Sequence, residues 1–190
     1  MTYPVTGLLA GPWVRAVALR TAALANVLLP DPPPPARVED VLRAHGESGP
    51  FDLTTADVRA MAAAARKLRD AATAPHTAAA ARRVNALLTG VRPPRLSDHR
   101  GATHWHLHLD ASDDGPVDEW LLSSGAMALA VLLADQQRVP GGVCAAPGCD
   151  RLFLDPGTGG RRRYCSARCG TRTRVAAHRR RARGPGGGPR

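Results

Sequence analysis

Four cysteines are the residues of this chain best spaced for chemistry. Cys144, Cys149, Cys165 and Cys169 follow the spacing C-x4-C-x15-C-x3-C and are the only cysteines among the 190 residues. Two close pairs separated by about fifteen to twenty residues can offer four thiolates from two short turns, the pattern of a structural zinc site. "CAAPGC" carries Pro147 and Gly148 for a tight knuckle, and "RLFLDPGTGGRRRYC" reads as a hairpin around a turn at "DPGTGG". A helix starting near Ser166 brings Cys165 and Cys169 to one side. Knuckle, hairpin and helix describe a treble-clef-like zinc finger holding one structural Zn2+. The surrounding arginines also suit a redox switch, because cations lower thiol pKa.

The finger carries the charge of the chain. From Val143 to Arg190 there are twelve arginines against Asp150 and Asp155, so the net +10 resides there and positions 1 to 142 are formally neutral. The anion-binding candidates are Arg161, Arg162, Arg163, Arg168, Arg172, Arg174, His178, Arg179, Arg180, Arg181 and Arg183. On a helix, Cys169, Thr173 and Ala176 face the metal, and the arginines occupy the remaining strips. Four thiolates and one zinc ion carry −2, leaving this module near +8 (about, by formal charges) and suited to phosphate and guanine contacts.

At these residues the chain resembles the CGNR-type zinc-finger proteins of bacteria. "CAAPGC", "LFLD" and "RRRYCSARCGTRTRVAAHRRR" follow the order of that family's C-terminal module, from Cys144 to about Arg183. The signature asparagine is replaced by Thr171, giving "CGTR", and the last cysteine pair is one residue closer than the common spacing. The resemblance implies an N-terminal ABATE domain over residues 13 to 140, with Asn26 standing for an asparagine near its first helix. It also implies a stress-responsive transcription regulator.

The rest of the chain must position this module. Alanine and leucine dominate its apolar residues, so a mainly α N-terminal domain with a minor β element is expected. Helices are read at 13–29 after Pro12, at 36–45 before Gly46, at 55–73 with Thr54 or Thr55 as cap, at 77–89 and at 117–137. "VRPPRLSDHRG" reads as a loop. "HWHLHLD" alternates as a strand, with Trp105, Leu107 and Leu109 inward and His104, His106 and His108 towards solvent. Two such histidines occur in some catalytic zinc sites, but the sequence names no third ligand from another strand. Pro140, Gly141 and Gly142 read as a hinge. The expected division is a helical sensor domain at 1–140, the finger at 141–183 and a disordered tail at 184–190.

No catalytic constellation is legible. Ser123 and Ser124 lack the context of a nucleophile elbow, "GTGGRRR" lacks a phosphate-loop ending, and "DASDDGPVDE" lacks the spacing of a calcium loop. The N-terminus has no basic segment before its apolar residues, and "GAMALAVLLA" is too short to span a bilayer, so a cytoplasmic protein is expected. These features point to a DNA-binding regulator that grips double-stranded DNA and receives a small-molecule or stress signal in its helical domain. The alternatives are an RNA-binding or ribosome-associated zinc protein, and an adaptor whose arginines meet an acidic protein partner.

Overall fold

The computed structural model describes residues 11–49, 51–157 and 161–182. Arg183 and the expected tail at 184–190 lie outside them, as do residues 1–10. Among the described residues six helices form in chain order: α1 (Pro12–Leu28), α2 (Pro35–Ala44), α3 (Thr55–Ala72), α4 (Thr77–Leu88), α5 (Val117–Gln136) and α6 (Ala167–Ala182). Two antiparallel pairs complete the described fold: β1 (Arg95–Ser97) with β2 (His106–His108), and β3 (Gly141–Val143) with β4 (Leu152–Leu154).

α5 is the axis of the helical part and packs against α1, α3 and α4. It is long and apolar enough by length and composition to cross a membrane. Here Leu121, Ala126, Ala128, Leu129 and Leu132 are buried against neighbouring helices. Gly125 sets the crossing with α3, since a Cβ there would lie 2.8 Å from Leu68. α3 starts as its sequence predicts: the Thr54 side chain accepts from the Asp57 N–H and the Asp57 carboxylate accepts from the Thr54 N–H, a capping box. Val58, Met61, Ala65, Leu68 and Ala72 form its inward stripe.

Two expectations for residues 91–110 are corrected. The predicted loop contains β1, whose Leu96 pairs with Leu107 across the ladder. The faces of β2 are also reversed. Trp105 is 68% exposed and Leu107 40%, while His108 is buried at 7%. Leu109 alone of the predicted inward set is buried, just past the strand. The histidine side wins because Asp110 lies beneath it, with its Oδ1 3.0 Å from His108 Nδ1, so a buried imidazole there has a polar partner.

The expected hinge is a strand. Gly141, Gly142 and Val143 form β3, and the hairpin closes with β4 across the cysteine knuckle rather than within 151–165. Glycine is required here by space: a Cβ on Gly141 would stand 2.5 Å from the Phe153 carbonyl oxygen. Leu152 and Leu154 are each 1% exposed and belong to the same apolar cluster as the residues of α1, α3 and α5. Asn26 of α1 completes the junction. Its Nδ2 donates to the Leu152 carbonyl at 2.8 Å, and its Oδ1 accepts from the Leu152 N–H at 2.7 Å. The side-chain amide thus pairs with β4 as a neighbouring strand would. The helical part and the base of the finger share one core.

Candidate metal centre and cationic surface

The knuckle is built by backbone bonds before any metal is considered. The Cys144 N–H donates to the Arg151 carbonyl at 2.9 Å, extending the β3–β4 pairing. The Cys149 N–H donates to the Ala146 carbonyl, closing a turn in which Gly148 takes φ +68°, a conformation that suits glycine. The second pair is set by α6. Ser166 Oγ accepts from the Cys169 N–H at 3.2 Å, capping the helix and placing Cys169 in its first turn beside Cys165. The Ala145 N–H donates to the Arg163 carbonyl at 2.9 Å, which holds the two halves together.

The four sulfurs converge. Cys149, Cys165 and Cys169 stand 3.7–3.9 Å apart, and all four sulfurs lie within 4.8 Å of one another. Tetrahedral zinc with Zn–S bonds of about 2.3 Å keeps its sulfurs about 3.8 Å apart, whereas a disulfide needs about 2.05 Å. The cysteines are free thiols, and their arrangement fits one structural Zn2+.

Crowding makes the thiols unequal. Burial raises the pKa of Cys144, but N–H groups of Cys165 and Ala146 and the neighbouring thiols outweigh it and bring it down to about 7. Cys165 is pushed up to about 12 by burial, by hydrogen bonds to the other three thiols and by the Cys144 charge. One thiolate is thus stabilised by its neighbours, and the next is opposed by the first. A dication at the centre reverses that opposition, as bound metal ions do for coordinating thiols.

Asp155 ties the finger to α5. Its carboxylate, 3% exposed, accepts from the Arg138 guanidinium at 2.8 Å and from the N–H groups of Arg162 and Gly157. Burial raises its pKa, yet these donors together hold it below the ordinary value. The Asp155 carbonyl also accepts from Gln136 Nε2 at 2.8 Å.

The cationic residues divide into two groups. Arg162 is turned inward: its guanidinium reaches the Leu154 and Cys165 carbonyls at 3.4 and 3.3 Å and lies 6.0 Å from the Phe153 ring centroid. It therefore braces the finger while its side chain also borders the cleft beside the start of α6. Arg161, Arg163, Arg168, Arg172, Arg174, His178, Arg179, Arg180 and Arg181 are exposed. None of the arginines of α6 forms an ion pair among the described residues. Cys169, Thr173 and Ala176 are the half-buried strip of α6, as its helical spacing predicts. Arg172 Nη2 donates to the Pro147 carbonyl at 3.4 Å, and Arg174 Nη2 donates to Thr171 Oγ1 at 3.1 Å. Arg161, Arg162, Arg163, Tyr164, Gly170 and Arg174 line an open cleft of about 400 Å³ beside the start of α6. A Cβ on Gly170 would lie 3.2 Å from the Tyr164 ring, so glycine lets the helix approach that wall.

Arg138 and Gln136 support this site without a motif to mark them, and Asn26, singled out only by the family resemblance, proves to hold the finger's strand. Their signal is geometric, a polar side chain meeting the backbone or carboxylate of β4 or the residue after it, more than fifteen residues away.

Residues 142–182 match the family model described as CGNR zinc finger. No curated protein matches the chain.

Proposed function

We propose that the protein is a DNA-binding transcription regulator whose zinc finger aims α6 at double-stranded DNA. The observation that carries this reading is the cleft at the metal-fixed end of α6. Arg161, Arg163 and Arg174 line it, and from Pro156 to Ala182 the sequence has no acid. The helix N-terminus beside the cleft favours anions through its dipole. Arg172 and Arg174 lie in the first turns after the zinc ligand Cys169, where their direction is best fixed, and are the candidate base readers. Arg179, Arg180 and Arg181 lie further along and suit phosphates. On this reading the protein acts by binding in the cytoplasm rather than by catalysis, and the helical part receives the signal.

The test is affinity for duplex DNA across a salt series. Each phosphate contact contributes about −0.9 to the slope of log affinity against log salt. Arg179→Ala should flatten the slope by roughly one such contact and weaken all sequences alike. Arg174→Ala should cost about 1–3 kcal/mol at a preferred site and relax specificity there. A wild-type slope near zero refutes the reading and leaves the acidic-partner adaptor. Preference for single-stranded RNA over duplex DNA, with Tyr164 as a stacking surface, would replace it with the RNA-binding alternative.

A further inference from the structure

On the opposite side of the sequence's expectations, β1, β2 and the turn between them bring three imidazoles to one point. His99 Nε2 lies 3.2 Å from His106 Nε2 and 3.3 Å from His108 Nε2, and the last two are 3.0 Å apart. Three nitrogens each about 2.0–2.1 Å from one ion sit about 2.9 Å apart on an octahedral face and about 3.3–3.4 Å apart in a tetrahedron. The observed triangle lies between these limits.

The opposite ring nitrogens show which atoms are free to bind. His108 Nδ1 faces the Asp110 carboxylate at 3.0 and 3.1 Å. His106 Nδ1 faces the His104 carbonyl at 2.7 Å. His99 Nδ1 lies 3.6 Å from Asp113 Oδ2. The carbonyl and the Asp110 carboxylate accept from His106 and His108 Nδ1, so these two rings present Nε2 lone pairs, and the Asp113 charge beside His99 Nδ1 favours the same tautomer in the third. Three lone pairs converging at about 3 Å repel unless a cation lies among them.

The surroundings hold the rings in place. Arg95 clamps both carboxylates, reaching Asp110 Oδ1 and Asp113 Oδ1 at 2.7 Å each. Ser97 Oγ donates to Asp113 Oδ2 at 2.7 Å and accepts from the His99 N–H at 3.1 Å. His99 and Arg100 have φ of +51° and +61°, a conformation uncommon outside glycine that indicates a turn fixed by its contacts.

We propose that His99, His106 and His108 form a second metal site, which takes a borderline divalent transition ion such as Zn2+ through three Nε2 atoms and leaves a coordination position for water or an exchangeable ligand. Neutral imidazole suits such ions, and carboxylate or carbonyl partners on the far ring nitrogens are the usual support of metal-bound histidine. Three protein ligands rather than four distinguish the site from the closed thiolate centre. The site rests on its own geometry and is independent of the nucleic-acid reading. It gives the helical part of the molecule a ligand of defined chemistry, a metal ion exchanging with solvent.

The test uses the full chain saturated with zinc and freed of excess. Elemental analysis should find two metals per chain in the wild type and one in His99→Ala and His106→Ala, whose side chains are only half-buried. His104→Ala should retain two. Asp110→Asn keeps the three donors and should weaken the second metal by about 10–100-fold. Adding Co2+ to chains that hold zinc only at the cysteines should give ligand-field absorption without a thiolate-to-cobalt band. Separately, titrating Zn2+ should move all three Nε2 resonances in long-range nitrogen NMR. Circular dichroism checks that each variant is folded. One metal per chain in saturated wild type overturns the site. So does a second metal that survives both His99→Ala and His106→Ala. Imidazoles that share a proton and do not respond to Zn2+ overturn it equally.

Discussion

Replacing Asn26 tests how firmly the finger is joined to the helices. Its amide satisfies both backbone groups of Leu152, a residue 1% exposed. Asn26→Ala leaves one buried donor and one buried acceptor without partners, each costing about 1–3 kcal/mol. Because Asn26 is half-buried, water can recover part of this, and a loss of about 2–4 kcal/mol is expected. For a chain of this size that lowers Tm by roughly 5–15 °C. Asn26→Asp separates the two bonds. The introduced carboxylate can still accept from the Leu152 N–H, but it faces the Leu152 carbonyl with no proton to donate. At neutral pH this variant should be at least as unstable as Asn26→Ala, and it should recover in mild acid as the carboxyl gains a proton. Urea denaturation followed by circular dichroism measures the loss, and amide exchange at Leu152 should accelerate in both variants. A loss under about 0.5 kcal/mol with unchanged exchange at Leu152 would refute the view that this amide carries the junction.

A chain ending at Val139 loses Leu152 and Leu154 from the shared core, about 1.5–3 kcal/mol each, so thermal melting should show a helical part clearly weaker than in the full chain. Any one of Cys144→Ser, Cys149→Ser, Cys165→Ser or Cys169→Ser should release the thiolate-bound zinc, read by elemental analysis and a chromogenic chelator. It should also lower the melting temperature of the helices, since the two parts share a core. The donors around Asp155 hold its carboxyl below the ordinary value, so its stabilisation is complete above the unfolded value of about 3.9 and is lost as pH falls through the lower folded value. Asp155→Asn should therefore be less stable than wild type at neutral pH, with the difference narrowing in acid, measured as urea midpoints across pH.

Much of the helical part is legible because its signals are local. The capping box at Thr54 and Asp57, and the stripe from Val58 to Ala72, lie within one element. The cysteine site is legible because zinc needs four thiolates and the chain has only four. β1 is not, since "RLS" is too short for a periodic signal and follows two prolines. Alternation in β2 gives a period but not which side faces in, and the deciding group, Asp110, lies just beyond the strand. His99 joins His106 and His108 from seven and nine residues away, through a turn that composition does not mark. "PGG" reads as a hinge because glycine is freest in the unfolded chain. Here it is needed for the opposite reason, to let two strands meet where a Cβ would collide.

β4 also bears on how the protein behaves when it fails. Its three consecutive apolar residues, Leu152, Phe153 and Leu154, are buried, with β3 on one edge and the Asn26 amide on the other. If the finger loosens, that second edge opens and becomes a template for strand addition by another chain. Arg151 and Asp155 flank the segment as gatekeeping charges, so the ion that shapes the finger also keeps a sticky strand out of intermolecular sheets.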